Sequence, residues 1–577
     1  MNVGIVGSGP AVESMETALD GTETNRIDLD TIPETDLAVV VETAGAPIFE
    51  EANELARESA TPWLAVELGG VGGQAICEAA ITGFGPETAC YDCLQARVTA
   101  NRDSTDSTNS TNDTDEVNES GTDPATARLA GARAGYEANR LIAGERSPAM
   151  GGVVELPHAE RGLLPVPDCD CADERDRKLR RGYEDRGLDD AIGRAEIALD
   201  ERVGIVTEVG EIASFPAPYY LARVSETAGF SDASAASEAA GVATDWDRAF
   251  MKALGEALER YSAGVYRTDV FEHGASAEIE GAVPPSSFVL PDSAETDAGA
   301  SIPWVPGENL VTGESVRLPA EFVQFPPPEH RHGPSITTGL GLGNSGVGAL
   351  LSGLTEVVER DAAMLSWYST FEPLGLAVDD EEFETLARRA RSEGLTVTPV
   401  LLTQDVDVPV VAVAVERDDW PRLVVGSAAG FDPGEAAQSA LAEALQSWME
   451  LRAMGPDGAA EAEGEIGQYA DTPGAAADFF AVESYVPAAS VGPETVPTGE
   501  SALDALIDRV TEAGLDVYGA RLTPRDVESL GFEAVRVLVP DAQPLFTGEV
   551  FFGERASEVP DALGFEPRLD RAFHPYP

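Results

Sequence analysis

Three stretches of this chain set glutamates in the same stripe along a helix, and that repetition constrains the fold more than any other feature. They read KALGEALER from Lys252 to Arg260, SGLTEVVER from Ser352 to Arg360 and SALAEALQS from Ser439 to Ser447. Around the second, Leu351, Leu354, Val357, Val358 and Ala362 recur at helical spacing, which predicts one face packed on a core. Ser352, Glu356 and Glu359 then fall at i, i+4 and i+7 and form a second stripe on the same helix. The stripe recurs at Lys252, Glu256 and Glu259, and again at Ser439, Glu443 and Gln446. One such helix would be an ordinary amphipathic helix with a wet acidic face. Three of them, each entered through a glycine-containing segment (EAAGVATDWDRAFM, GLGLGNSGVGALL, GSAAGFDPGEAAQ), predict related helices converging on one site.

Carboxylates from separate helices cannot gather unpaired, because repulsion raises their pKa values or drives them apart. Hard divalent cations such as Mg²⁺ resolve this; they take oxygen ligands and bridge to substrate phosphates. No Gly-x-x-x-x-Gly-Lys-Ser/Thr loop occurs, so the expected triphosphate chemistry rests on the carboxylates. Arg260 and Arg360 follow the acidic pairs and either reach phosphate or serve as structural ion pairs.

The chain's charge narrows the partners. Asp and Glu number 102 against 38 Lys and Arg, a formal charge of −64, and the only lysines are Lys178 and Lys252. The excess runs through the whole chain, as a solvated surface and not a local tail. The composition resembles that of haloarchaeal cytoplasmic proteins, which work in molar salt. Basic patches for phosphate neutralisation are missing, which argues against nucleic acid as partner. The opening MNVGIVGSGP lacks a basic n-region, and no run approaches 18 uncharged apolar residues, so a soluble cytoplasmic protein without a membrane partner is expected.

At 577 residues more than one domain is expected. NVGIVGSGPAVESMETAL reads as strand, glycine turn and helix, with Gly7 and Gly9 placed either for packing or for a phosphate. DLAVVVETAG (36–45) and PWLAVEL (62–68) predict further strands of a Rossmann-like α/β domain. Cys77 stands alone and is expected to be buried. Cys90 and Cys93, then Cys169 and Cys171, form two close pairs that could hold a structural Zn²⁺ as four thiolates. Between them, residues 100–126 are almost free of apolar side chains and predict a disordered insertion. A helix over 126–142 and a strand over 151–156 lead to the second pair.

The glycine-rich turn and two cysteine pairs resemble the domain of the ThiF and ubiquitin-activating superfamily that accompanies peptide-modifying cyclodehydratases, over roughly residues 1–175. The three glutamate helices resemble the signature helices of the YcaO family, over about 195–577. The combined resemblance implies an α/β and α+β chain, with a ThiF-type scaffold domain at 1–175 and a YcaO-type catalytic domain at 176–577. It implies ATP- and Mg²⁺-dependent activation of backbone amides in a peptide or protein, yielding azolines, or thioamides with an external sulfur donor. It assigns Glu256, Glu259, Glu356 and Glu359 to Mg²⁺, and Lys252, Arg260, Ser352, Ser439, Glu443 and Gln446, with those glutamates, to the nucleotide. Arg360 and Pro577, the end of a proline-rich tail AFHPYP that reaches back to the active site, are the catalytic expectations. Lys252 stands where relatives carry Ser, and Gly348 where many carry an acid. A leader-binding or sulfur-transfer protein and a second copy of the chain are implied partners. A ThiF-type adenylating enzyme and a noncatalytic peptide scaffold are the alternatives.

Overall fold

The computed structural model describes residues 2–106, 122–171, 175–295, 297–462 and 474–576. Near-continuous apolar runs make the first sheet. Strands Thr24–Arg26, Val3–Val6, Leu37–Thr43 and Trp63–Leu68 pair in parallel, in that order, and Ala79–Phe84, Gly152–Leu156 and Ala159–Gly162 extend the sheet antiparallel. Runs apolar on successive residues require cover on both faces. Helices Pro10–Ala18 and Pro124–Ile142 cover one face, where Val12, Met15, Ala130 and Ala134 pack on Ile5, Val39 and Val41. Helices Ile48–Ser59 and Tyr91–Asp106 cover the other, where Phe49, Tyr91 and Leu94 meet Val40 and Trp63. Gly7 has φ +126°, and a Cβ there would lie 2.5 Å from Val41 O, so backbone packing accounts for this glycine.

The insertion expected over 100–126 is shorter than its composition suggested. Residues 100–106 continue the helix Tyr91–Asp106, and the next helix begins at Pro124. Ala100 is buried, and Asn101 Nδ2 donates to Arg97 O (2.8 Å) and Gly204 O (3.1 Å), contacts that composition does not reveal. The expected stretch from 107 to 121 lies outside the described residues.

The rest of the chain builds the same unit three times. Strand Glu238–Val242 leads into helix Trp246–Gly264, Leu340–Gly343 into Gly346–Trp367, and Leu423–Ala429 into Pro433–Glu461. Each helix opens on a short polar cap: Asp245 accepts from Arg248 N, Ser345 from Gly348 N, and Asp432 from Gly434 N and Glu435 N. The third helix breaks at Gly455 (φ 70°), ahead of Pro456. The strands lie in three separate sheets: a three-stranded antiparallel sheet, a six-stranded sheet and a five-stranded sheet.

In every unit a strand glycine touches the helix backbone. A Cβ at Gly241 would lie 2.2 Å from Ala249 O, one at Gly341 2.2 Å from Ala349 O, and one at Gly426 2.3 Å from Ala440 O. Any side chain there would push strand and helix apart. The expected apolar face of the second helix is the buried one. Leu354, Val357, Val358 and Ala362 enter the core, with Leu351 at its edge.

Packing is continuous across residue 175. Trp63, Tyr91 and Leu94 share a cluster with Leu254, Leu258, Tyr261 and Phe532. Inside it, the fully buried Arg97 pairs with Asp526, whose Oδ2 also accepts the Tyr261 hydroxyl at 2.6 Å. No helix among the described residues is long and apolar enough to cross a membrane.

The close approaches predict a contrast between two substitutions. Gly341→Ala should destabilise by about 1–3 kcal/mol through overpacking. Gly255→Ala, whose Cβ would meet only Leu342 Cδ2 at 3.8 Å, should hold or raise stability by up to about 1 kcal/mol through helix propensity. Thermal denaturation at constant salt would reveal the opposite shifts in Tm.

Candidate active site

Backbone in, or immediately before, the strand that precedes each helix also grips that helix's first motif glutamate. Glu256 Oε2 accepts Ala240 N (3.1 Å), Glu356 Oε2 accepts Gly339 N (3.0 Å) and Glu443 Oε2 accepts Ser427 N (2.6 Å). Lys252, Ser352 and Ser439 are exposed, one helical turn earlier, whereas the glutamates are half-buried or buried. The repeated stripe therefore runs from a solvent rim into the protein.

The second and third helices are tied to each other at this level. Ser427 Oγ donates to Glu359 Oε1 at 2.6 Å, so Ser427 holds glutamates of the second and third helices together. Arg360 lies 3.7 Å from Glu359 Oε1 and 3.6 Å from Glu443 Oε1. Arg260 donates to Glu256 Oε1 at 2.9 Å and stacks on Phe325. Gln446 donates to Glu450 Oε1 (3.1 Å), which also accepts the Tyr219 hydroxyl (2.8 Å).

Burial makes this cluster electrostatically costly. It pushes Glu259 up to about 8, with the charges of Glu356 and then Glu256 adding to the effect and Arg260 opposing it. Burial likewise pushes Glu443 up to about 7, against the pull of Arg360, and raises Glu356 against the same arginine. Lys252 lies within electrostatic reach of Glu443, and Glu256 within reach of Glu450. Among the described residues, the one group of three or more His, Cys, Asp or Glu side chains with ligand atoms all within 4.8 Å is the cysteine quartet. The glutamates instead line a wall, an arrangement suited to ions that take one or two carboxylates each and complete their shells with phosphate and water.

Sequence reasoning missed four participants. Arg536, buried on strand Glu533–Leu538, donates to Ile336 O and Thr337 O (3.0 Å each) and faces Glu356 and Glu259; burial lowers it to about 10. Its signal was a lone arginine within the apolar run EAVRVLV. Glu450 continues the third stripe one step beyond Gln446, but Ser427 and Tyr219 carried no pattern.

The carboxyl tail docks on the end of the second helix. Trp367 Nε1 donates to Ala572 O (2.8 Å), Arg571 donates to Trp367 O (2.7 Å) and stacks on its ring, and Tyr576 is fully buried. His574 lies 2.7 Å from Phe546 O, and burial, followed by the charge of Arg360, holds it down to about 4. Pro577 lies outside the described residues.

The cysteine pairs do meet. Sγ separations are 3.7 Å for Cys90–Cys93, 3.7 Å for Cys90–Cys169 and 3.6 Å for Cys93–Cys171. Arg525 Nη1 lies 3.2 Å from Cys171 Sγ, joining this cluster to the segment that carries Asp526. Cys77 is only half-buried, yet burial still pushes its thiol up to about 12.

A family model described as YcaO cyclodehydratase, ATP- and Mg²⁺-binding, matches residues 240–543, a stretch that holds all three glutamate helices and Arg536. The chain belongs to the YcaO family. An uncharacterised protein of Methanothermobacter thermautotrophicus is 33% identical over 223 residues, 36% of this chain and 56% of the relative. The chain thus spans about half the length of that curated relative. A heterocyclase solved in complex with substrate and cofactor shares the fold over 98% of this chain and 83% of its own (TM-score 0.74, 21% identity). The heterocyclase TruD does so over 98% and 82% (TM-score 0.66, 21% identity).

The raised carboxylates set the sign of a pH effect. At pH 6 protons hold Glu259 and Glu443 neutral, so a cation must displace them; above pH 8 it need not. Mg²⁺ affinity should therefore rise between pH 6 and 8.5, with proton release. Calorimetric titration with Mg²⁺ in buffers of different ionisation enthalpy would show it, and Glu259→Gln should flatten the rise.

Proposed function

We propose that this chain activates backbone amides of a peptide or protein in an ATP- and Mg²⁺-dependent reaction, closing azoline rings or, with an external sulfur donor, forming thioamides. The observation that carries this is the threefold clamp on Glu256, Glu356 and Glu443 within a YcaO-family chain. All the donors along the wall are oxygens, as Mg²⁺ requires, and their raised pKa values mark a cluster that cations would relieve. Glu256, Glu259, Glu356 and Glu359 would hold Mg²⁺; Lys252, Arg260, Ser352, Ser439, Glu443 and Gln446 would border the nucleotide. When bound, ATP with Mg²⁺ supplies an electrophilic γ-phosphoryl group that captures the amide oxygen.

The chain's own residues position and neutralise, the usual protein share in phosphoryl transfer. Backbone N–H groups fix the carboxylates, so they need not reorganise as phosphate charge develops. Arg360 spans the second and third helices, where it can follow the transferred group. The docked tail walls off the far end of the second helix, and Arg360 and the tail's Pro577 are the residues proposed as catalytic.

A structural Zn²⁺ on Cys90, Cys93, Cys169 and Cys171, within a ThiF-type N-terminal domain, belongs to the same proposal. Zn–S bonds of about 2.3 Å in a tetrahedron imply sulfur separations of about 3.8 Å, close to the three quoted above. A leader-binding or sulfur-transfer protein, a second copy of the chain and a halophilic habitat also belong here as proposals.

In assays with cysteine-containing peptides, Glu356→Ala and Glu359→Ala should each lower peptide-dependent release of ADP and phosphate by about 10²-fold or more. Unchanged turnover would refute the metal–nucleotide assignment, and AMP with pyrophosphate would indicate adenylation instead. Elemental analysis should find one zinc per chain, lost in Cys90→Ser together with a fall in Tm.

A further inference from the structure

Amide activation gives no task to the buried pair Glu321 and His332. Glu321 Oε1 accepts the backbone N–H groups of Arg331 (2.7 Å), His332 (2.8 Å) and Gly333 (3.4 Å). Its other oxygen lies 2.6 Å from His332 Nδ1. With Nδ1 facing this carboxylate, Nε2 is the ring nitrogen left to exchange a proton with a ligand. Nε2 has no hydrogen-bond partner among the described residues. This is a carboxylate orienting an imidazole with its second nitrogen left for use.

The pair's place in the fold gives that nitrogen something to act on. His332 lines an open cavity of about 970 Å³, large enough for a peptide segment. Glu321 lines a smaller cavity of about 100 Å³ whose wall includes Arg360 and Arg536 of the glutamate cluster. Phe288, Val289 and Leu290 line both. Glu321 and His332 thus stand between an open groove and the arginines of the candidate nucleotide site.

We propose that His332 is the base of ring closure and that the larger cavity receives the peptide; this rests on the amide activation proposed above. As a substrate Cys, Ser or Thr adds to the preceding backbone carbonyl, its S–H or O–H bond breaks and the proton passes to Nε2. The new C–S or C–O bond forms and the carbonyl π pair moves to oxygen, giving an oxyanion that would take the γ-phosphoryl group of bound ATP, with cleavage of the bond to the β-phosphate and departure of ADP. Glu321 is a positioning residue: it fixes the tautomer and stabilises the imidazolium, which returns its proton to water in the open groove.

The test uses the full chain with ATP and a panel of synthetic decapeptides, each holding one cysteine. His332→Gln should slow loss of water from the peptide, read by mass spectrometry, by about 10²–10⁴-fold. Its affinity for a non-hydrolysable ATP analogue should stay unchanged. Glutamine at 332 can still donate to Glu321, so a pair that only clasps the loop would keep ring closure near the wild-type rate, and that result overturns the proposal. Nitrogen NMR of histidine-labelled protein gives a second measure. The signal lost in His332→Gln should show an unprotonated Nε2 in wild type, shifting in Glu321→Gln; a protonated Nε2 overturns the proposal without any peptide. Wild-type protein that binds ATP but dehydrates no peptide would refute amide cyclisation itself, and the base with it. Dehydration that survives in His332→Gln would refute His332 alone.

Discussion

Carboxylates from three helices share one half-buried wall, and much of the surrounding architecture serves to hold them there. Burial penalises each charge and each neighbour adds to the penalty, so the side chains would turn to solvent unless tethered. The tether is backbone. In each unit the backbone of the preceding strand, or of the residue that leads into it, donates one N–H to the first motif glutamate, at Ala240, Gly339 and Ser427. That hydrogen bond needs strand and helix in direct contact, which is why Gly241, Gly341 and Gly426 have no room for a Cβ. The fold thus solves one electrostatic problem three times with the same local geometry.

The arginines do the remaining neutralisation, each from a different direction. Arg260 stays on its own helix, Arg360 bridges two, and Arg536 enters from a strand far along the chain. Balance is left incomplete, with burial holding Glu259 up to about 8 and Glu443 up to about 7. A site whose own charges are not fully compensated is one prepared for cations.

The N-terminal third is bound into this arrangement by more than chain connection. Arg97, from the helix that begins beside Cys90 and Cys93, is fully buried against Asp526, and Asp526 also takes the hydroxyl of Tyr261 on the first glutamate helix. Removing one partner of such a pair strands a charge at a cost of about 3–5 kcal/mol. Arg525, next in sequence to Asp526, reaches Cys171. The cysteine cluster and the glutamate wall are therefore linked through two consecutive residues of one short segment, so the helix bearing Arg97 and the helix bearing Tyr261 share a single anchor.

The glutamate stripes and the cysteine pairs were legible in the sequence because helical period and ligand type are local properties. So were the apolar strands near 39 and 65. The strand glycines were visible, but their purpose was not, since a close approach between backbones leaves no periodic trace. Arg536, Ser427 and Tyr219 could not be found because each reaches its partner across a long sequence separation, on an element whose pattern speaks only of core packing. Glu321, on the short helix Ala320–Val323, and His332, in the loop beyond it, belong to no repeat or motif that would have marked them. By itself the sequence determined which residues carry charge and which helix face each occupies, since those follow from side-chain chemistry and a 3.6-residue period. Only the tertiary structure decided which carboxylates meet, which backbone groups hold them and which histidine is left with a nitrogen to use, because distances between distant segments are set by packing.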